Sequence, residues 1–541
     1  MESFEVVLAM LLAVVASGYL GRIVPFAVPL PLVQIALGAV IAGMFGHGVA
    51  LEPDIFFLLF LPPLLFLDGW RIPKIGLFRD KGTILELALG LVIFTVIGAG
   101  FMLHWLIPEM PLAVAFALAA IVAPTDPVAV SAITRRVPMP PRLMHIIEGE
   151  SLLNDASGLV CFRFAVAAAM TGQFSLTQAS LTFLWMALGG ASTGVVLTVA
   201  VARFHSFIVR RFGDDDGVAI LVNLLIPFGA YLVAEQLHAS GILAAVAAGI
   251  SMSYVELRGT ASPSTRIRRN VIWDTLQFAL NGVMFVLLGE QLPEIARGAL
   301  RLPGGEAIDP WWLAGNALAL SVGLVLLRFV WVWVSLRLTI LNQRRLGHQV
   351  YKPRMRLILA TSVAGVRGAL TMAGVMTLPL ALPDGTPFPG RHLAILLACA
   401  VIIVSLILAS VALPRLLNGL KLPDEPAIDS EEDRARRASV LAAVAAVESA
   451  SRAHTAETGA AMHATAADHV LSLYRRRLSD LQPSDAKSES HIAQQAERGY
   501  GLTALRAERD TILRLARSRE VSDDTARKLL REIDLAEARY R

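Results

Sequence analysis

Thirteen apolar stretches recur between residue 4 and about residue 418 with only short breaks, at about 4–20, 30–46, 54–70, 82–107, 110–134, 143–169, 177–201, 217–236, 240–256, 271–291, 310–336, 356–380 and 393–415. A hydrocarbon layer about 30 Å thick takes roughly 20 apolar residues of helix to cross, and it offers no water to exposed backbone groups. The chain is therefore expected to be an all-α polytopic membrane protein with about 13 transmembrane helices. The composition agrees, since 55% of the 541 residues are hydrophobic and 17% are charged. "GRIVPF" follows the first stretch where a small-residue cleavage site would mark a signal peptide, so that stretch reads as a retained helix.

Basic residues sort the intervening loops into two alternating sets. One set carries Arg22; Arg71, Lys74, Arg79 and Lys81; Arg135, Arg136 and Arg142; Arg203, Arg210 and Arg211; Arg258, Arg266, Arg268 and Arg269; and Arg337, Arg344, Arg345, Lys352, Arg354 and Arg356. The other carries Arg297, Arg301 and Arg391. Basic loops stay on the cytoplasmic face, so 21 against 3 predicts insertion in the cell's inner (plasma) membrane with the N-terminus outside and the C-terminus inside. The +4 net charge and pI near 9.2 do not make a nucleic-acid surface, because the positive residues are dispersed over these loops. Cys161 and Cys399 lie in apolar stretches, where a thiol packs as a small hydrophobe, so no disulfide framework or thiolate metal site is implied.

Residues 1–418 thus read as one transmembrane domain. Beyond it the composition changes: "LPDEPAIDSEEDRARR" opens a segment in which the last 123 residues hold 20 Lys+Arg against 21 Asp+Glu. In "VSDDTARKLLREIDLAEARYR", Ser522 is placed to cap a helix whose stripe is Leu529, Leu530, Ile533 and Leu535. Residues 419–541 are expected to form a cytoplasmic α-helical tail, regulatory or dimer-contacting.

A charge at mid-membrane costs roughly 2.5 kcal/mol or more, so each one demands a partner, a wet cavity or a function. The charges inside apolar stretches are Asp68, Glu86, Asp126, Glu148, Glu150, Asp155, Arg163, Asp274, Arg328 and Arg367. Asp68 and Asp274 fall near stretch ends, where solvation at the interface accounts for them, and Glu86 is only a few residues into its stretch. Arg163 and Arg328 are deep, and each needs a carboxylate that the linear sequence does not identify.

The fifth stretch contains "APTDP" at 123–127. Pro124 and Pro127 lack N–H groups and Pro127 pushes Asp126 out of helical geometry, which frees carbonyls near Thr125. Unwound backbone at that depth is tolerated inside protein or beside a cavity, and it supplies oxygen ligands for a hard cation. In the sixth stretch, "EGESLLNDASG", Ser151 and Asp155 share a helical face while Glu150 points about 140° away. Glu148 lies two turns earlier on the Asp155 face, where it would line an access funnel or simply be solvated at the helix mouth. The twelfth stretch, "SVAGVRGALTMAG", sets Arg367 between Gly365 and Gly368. Glu150 is the spare carboxylate, so a structural ion pair Glu150–Arg367 is expected.

The two interrupted stretches are seven apart and so run in opposite directions, the pattern of inverted repeats whose two unwound helices cross at the membrane midplane. Asp126 and Arg367 would then neutralise half-helix ends at the crossing. This is the pattern of a transporter. Histidine spacing shows no HExxH or other metal motif, and no Walker A loop occurs, which argues against an ATP-driven pump.

"FLPPLLFLDGW", "APTDPVAV", "GESLLNDASGLV" and "GVRGALTMA", in that order, resemble the monovalent cation:proton antiporter-1 family, the sodium/proton exchangers of bacteria, archaea and animals. The resemblance covers about residues 1–418. It implies a homodimer in the lipid bilayer and no cofactor. It further implies that Asp155 binds a sodium ion or a proton, that Asp126, Thr125 and Ser151 join the site, that Asn154 orients it, and that Glu150 pairs with Arg367. Where many microbial members carry a glutamate after "PPLLF" that can contribute to the site, this chain has Leu67, and the candidate acid is Asp68, one residue on. The resemblance implies a secondary antiporter that exchanges Na+, with K+ and Li+ as other candidates, for H+. With asparagine at 154 the expected stoichiometry is one for one. Two other classes use buried acids. A proton-coupled symporter of a small organic solute would need a further polar constellation, and an intramembrane aspartyl protease would bear a GxGD segment in the membrane, whereas "GDDDG" at 213–217 lies in a loop.

Overall fold

The computed structural model describes residues 2–23, 28–45, 53–72, 74, 81–134, 139, 141–171, 176–213, 215–257, 263–299, 309–345, 355–418, 426–453, 460–480, 487–518, 520–521 and 523–537. Arg79, Arg135, Arg136, Arg258, Arg301, Lys352, Arg354 and Ser522, used above to orient the chain and to start a helix, lie outside the described residues. The chain divides into two compact units, Met1–Lys421 and Leu422–Arg541.

In the first unit helices follow the apolar stretches one by one. α1 is Glu2–Ile23, α2 Leu30–Phe45 and α3 Pro53–Arg71; α4, Lys81–Leu85, runs through a π-helical turn, Glu86–Leu91, into α5, Val92–Leu106. The fifth stretch is two half-helices, α6 Leu112–Val122 and α7 Pro127–Thr134. There follow α8 Pro141–Thr171, α9 Leu176–Phe212, α10 Asp216–Gln236, α11 Gly241–Glu256, α12 Pro263–Ala299 and α13 Pro310–Arg345. The twelfth stretch is again divided, into α14 Met355–Val363 and α15 Ala369–Met376, and α16 is Arg391–Leu417. Both breaks fall where the sequence placed them: Pro124 and Pro127 remove ladder donors, and Gly365 and Gly368 lie within the second gap. Among the described residues, seven helices are long and apolar enough to cross a membrane, and shorter apolar helices such as α6 and α11 accompany them.

The packing resolves into two bundles that meet along a seam. α2 lies on α12, α3 on α11, α9 and α10 on α11, and α1 on α2 and α12. In the second bundle α6 packs on α5 and α8, α13 on α5 and α16, and the half-helices α14 and α15 on α16. At the seam α3 and α11 touch α8, α12 touches α16, and α15 touches both α3 and α12.

The first bundle is cemented beside Asp68. Phe66 and Trp273 stack at 5.5 Å, and the Arg269 guanidinium lies 4.7 Å over the Trp70 ring. Glu256 accepts from Trp70 Nε1 at 2.7 Å and pairs with Arg269, while Trp273 Nε1 donates to Asn223 Oδ1 at 2.7 Å. These bonds join α3, α10, α11 and α12 and satisfy both indole N–H groups as the tryptophan rings are buried. Asp274 pairs with Arg71 at 2.5 Å on an exposed surface, where such a bridge contributes little.

The second unit comprises α17 Pro426–Ala453, α18 Ala460–Asp480, α19 Lys487–Arg517 and α20 Asp523–Glu537, with α17 packed on α18 and α19 on α20. Its buried residues include Leu471, Leu505, Ala526 and Ile533. The apolar stripe of α20 runs through Ala526, Leu529, Leu530 and Ile533, and Leu535 is exposed. Two residues beyond Ile533 is about 200° of helix, which puts Leu535 on the far side. Arg509 joins α19 to α20 through Asp534 at 2.6 Å and Glu537 at 2.5 Å, and these hydrogen bonds hold its guanidinium pKa above the usual value.

Candidate functional site

The two breaks cross. The Asp126 N–H donates to the Val366 carbonyl at 2.7 Å, so unwound backbone of one segment is bonded to unwound backbone of the other. Half-helix ends meet opposite charges there, as dipole physics requires. Arg367 Nε donates to the Val122 carbonyl at 2.8 Å, at the C-terminal end of α6, and its Nη1 donates to Gly365. The Asp126 carboxylate lies against Gly368, the residue that precedes α15: a Cβ there would sit 1.7 Å from Asp126 Oδ2. Only glycine admits that approach, and it puts a carboxylate at a positive helix end.

Glu150 departs from expectation. Its bidentate partner is Arg328, with Nη1–Oε1 at 2.5 Å and Nη2–Oε2 at 2.7 Å, and not Arg367. Arg328 Nε also donates to the Thr361 carbonyl at 3.0 Å, near the end of α14. Both residues are buried, Glu150 at 1% and Arg328 at 2% exposure. The correction has a geometric cause. Arg367 sits in the gap itself, where its guanidinium is spent on the carbonyls of α6 and of its own turn. Arg328 projects from the unbroken α13, which packs on α14. Arg163, the other deep arginine, pairs with Glu235 at 3.6 Å, and Glu235 also accepts the Gly241 N–H at 3.2 Å.

A cavity of about 80 Å³ opens at the seam. From the second bundle it is lined by Thr125, Asp126, Ser151, Asp155 and Thr371, and from the first by Asp68, Gln277 and Asn281. Ser151 and Asp155 share the cavity face of α8, as their spacing predicts, and Glu150 is turned away from it. Asp68, which sequence position alone assigned to the solvated interface, faces the cavity instead. Arg71, one turn along α3, is held by Asp274 and by Gln277 Oε1 at 3.0 Å. Glu148 is half-buried and is not among the described residues that line the cavity.

Behind the cavity the side chains form a chain of hydrogen bonds. Asn154 Nδ2 donates to Thr125 Oγ1 at 3.0 Å, and Thr125 Oγ1 donates to Glu150 Oε1 at 3.4 Å. The Thr125 hydroxyl is thereby committed to the network. Asn154 Oδ1 is buried and accepts no hydrogen bond among the described residues, and Asn154 stands behind the cavity rather than among the residues that line it. The carboxylate, hydroxyl and amide oxygens that line the cavity suit a hard cation. Among the described residues no cluster of His, Cys, Asp and Glu has the arrangement of a resident metal centre.

The profile of the family described as sodium/hydrogen exchanger, transmembrane, matches residues 7–419. An uncharacterized Na+/H+ exchanger of Escherichia coli (strain K12), YjcE, is 39% identical over 548 residues, covering 99% of this chain and 99% of that protein. A sodium, potassium, lithium and rubidium/H+ antiporter of Bacillus subtilis (strain 168) is 38% identical over 549 residues, 100% of this chain and 78% of that protein. Among solved structures, the sodium proton antiporter MjNhaP1 from Methanocaldococcus jannaschii superposes with a TM-score of 0.58 at 18% identity, covering 78% of this chain and 99% of that one. That likeness is one of fold.

Proposed function

Because the chain belongs to the transmembrane sodium/hydrogen exchanger family, whose members are ion antiporters and not enzymes, we propose that it exchanges a monovalent cation for a proton, one for one, at Asp155. The observation that carries this reading is the seam cavity, where Asp155 and Asp126 converge with Ser151 on a crossing of unwound helices. A buried carboxylate is neutralised equally well by a proton or by a cation, and it cannot hold both. Competition for one site therefore couples the two fluxes without a further device. Each turnover carries one positive charge each way, so no net charge moves.

Na+ is the foremost substrate, with K+ and Li+ as the others. The Bacillus subtilis relative is named for four alkali cations, which supports a site that recognises charge and oxygen ligation more than ion radius. Thr125 and Asn154 hold the crossing in register, and Asp68 draws cations toward the cavity from the opposite bundle. Glu148, two turns from Asp155, stands outside the ligand set and on the access side of the cavity. Alternating access follows if the second bundle, which carries Asp155, Asp126 and Ser151, shifts along the seam against the first. The loop-charge asymmetry supports a multi-pass protein of the plasma membrane with its N-terminus outside and its tail, 419–541, in the cytoplasm. The family supports a homodimer. A cavity of about 80 Å³ is small against the roughly 300 Å³ or more of sites that bury organic ligands, which disfavours the symporter.

Reconstitution into proteoliposomes with an acidic lumen tests the reading. Adding Na+, K+ or Li+ is expected to dissipate the pH gradient at a rate insensitive to an imposed membrane potential. No cation-dependent dissipation contradicts antiport, and a rate that follows the potential contradicts one-for-one exchange.

A further inference from the structure

α8 carries a second polar stripe on the side turned from the cavity. Glu150, Asn154 and Ser157 recur at four- and three-residue spacing, so they share a face, and all three are buried. Each is tied to a different neighbour. Glu150 is held by Arg328 of α13 and Asn154 by Thr125 in the first break. Ser157 Oγ donates to the Ala88 carbonyl at 2.6 Å.

Ala88 lies in the π-helical turn Glu86–Leu91. Such a turn shifts the ladder by one residue and marks functional segments more often than ordinary helix does. A hydroxyl has a single hydrogen. Ser157 has two alternative acceptors within its own helix, the Asn154 carbonyl at 3.0 Å and the Leu153 carbonyl at 3.2 Å, yet its shortest bond reaches the neighbouring segment. The next residue fixes the same level from another side. A Cβ on Gly158 would lie 2.4 Å from Pro124 Cγ and 2.9 Å from the Ala120 carbonyl oxygen, so α6 rests directly on the α8 backbone there. Asp155 is two residues from Ser157, about 160° around the helix, and faces the cavity. A bond at Ser157 therefore sets the aim of Asp155 from behind.

We propose that Ser157 is a positioning residue for exchange: its bond to the Ala88 carbonyl fixes the rotation of α8 that turns the Asp155 carboxylate into the cavity. The inference rests on the antiport reading above. Full-length wild type and Ser157→Ala are compared in proteoliposomes across pH and Na+ concentration. Ser157→Ala is expected to raise the half-saturating Na+ concentration about three- to tenfold and to displace the pH midpoint, with the maximal rate within about twofold of wild type, the size of effect that one lost hydrogen bond exerts on orientation. Ser157→Thr, which keeps the hydroxyl, is expected to restore both. Should Ser157→Ala fail to reach the membrane, Ser157→Cys fills a similar volume with a weaker donor and provides the same contrast. The proposal is overturned if the hydroxyl-free variant keeps the wild-type half-saturation and pH profile while losing only thermal stability, or if Ser157→Thr behaves as Ser157→Ala. A wild type without exchange overturns the antiport reading instead.

Discussion

Asp155→Asn is expected to reduce cation-dependent dissipation of a pH gradient to the level of protein-free liposomes, while the protein still inserts and elutes as a single species. Asparagine keeps the shape of the side chain and removes the charge that proton and cation share, so neither has a reason to occupy the site. The neighbouring carboxylates differ in role and therefore in expected effect. Asp126 holds the positive end of α15 beside Gly368 as well as facing the cavity, so its removal disturbs both ion and crossing. Asp68→Asn is expected to raise the half-saturating cation concentration several-fold and to leave exchange intact, because Asp68 belongs to the other bundle and acts by attraction. Measurable exchange by Asp155→Asn at saturating Na+ would refute its assignment.

The second large effect concerns stability. Removing one member of a buried ion pair leaves an uncompensated charge and costs about 3–5 kcal/mol, whereas replacing both with apolar residues is often close to neutral. Arg328→Met is expected to lower the thermal midpoint in detergent sharply, since Glu150 is 1% exposed and would keep, among the described residues, only the 3.4 Å hydrogen bond from Thr125. The double variant Glu150→Leu/Arg328→Met is expected to recover a large part of that loss, though not the bond from Arg328 to the Thr361 carbonyl. The same cycle made with Arg367→Met is expected to show much weaker coupling, because Arg367 hydrogen-bonds the Val122 and Gly365 carbonyls and meets Glu150 only as a charge through space. Stronger coupling of Glu150 to position 367 than to 328 would contradict the observed pairing.

The contrast between these arginines shows where linear reasoning reaches its limit. The breaks were legible because proline removes a donor and glycine tolerates close approach wherever they occur. The cavity face of α8 was legible because helical period alone puts Ser151 beside Asp155. The partner of Glu150 was not, since periodicity fixes a direction around one helix and leaves open which other helix lies that way. Arg367 carried flanking glycines as a flag, while Arg328 sat without one in an unbroken apolar run. Asp68 was misplaced for a related reason: a position near the end of an apolar stretch suggests the interface, but packing of α3 against α11 and α15 brings it to the seam. The π-helical turn at 86–91 has no distinguishing residue pattern, so the bond that Ser157 makes to it was invisible. In the tail, a list of leucines and isoleucines included Leu535, which strict spacing from Ile533 would have excluded.

The central claim is that a cation and a proton compete for Asp155, and the dependence of Na+ kinetics on pH tests it most directly. With full-length wild type in proteoliposomes, lowering the pH is expected to raise the half-saturating Na+ concentration, approaching about tenfold per pH unit once the competing proton dominates, while the maximal rate at saturating Na+ stays constant. A maximal rate that falls with pH at unchanged half-saturation would place the proton on a separate site and contradict the account.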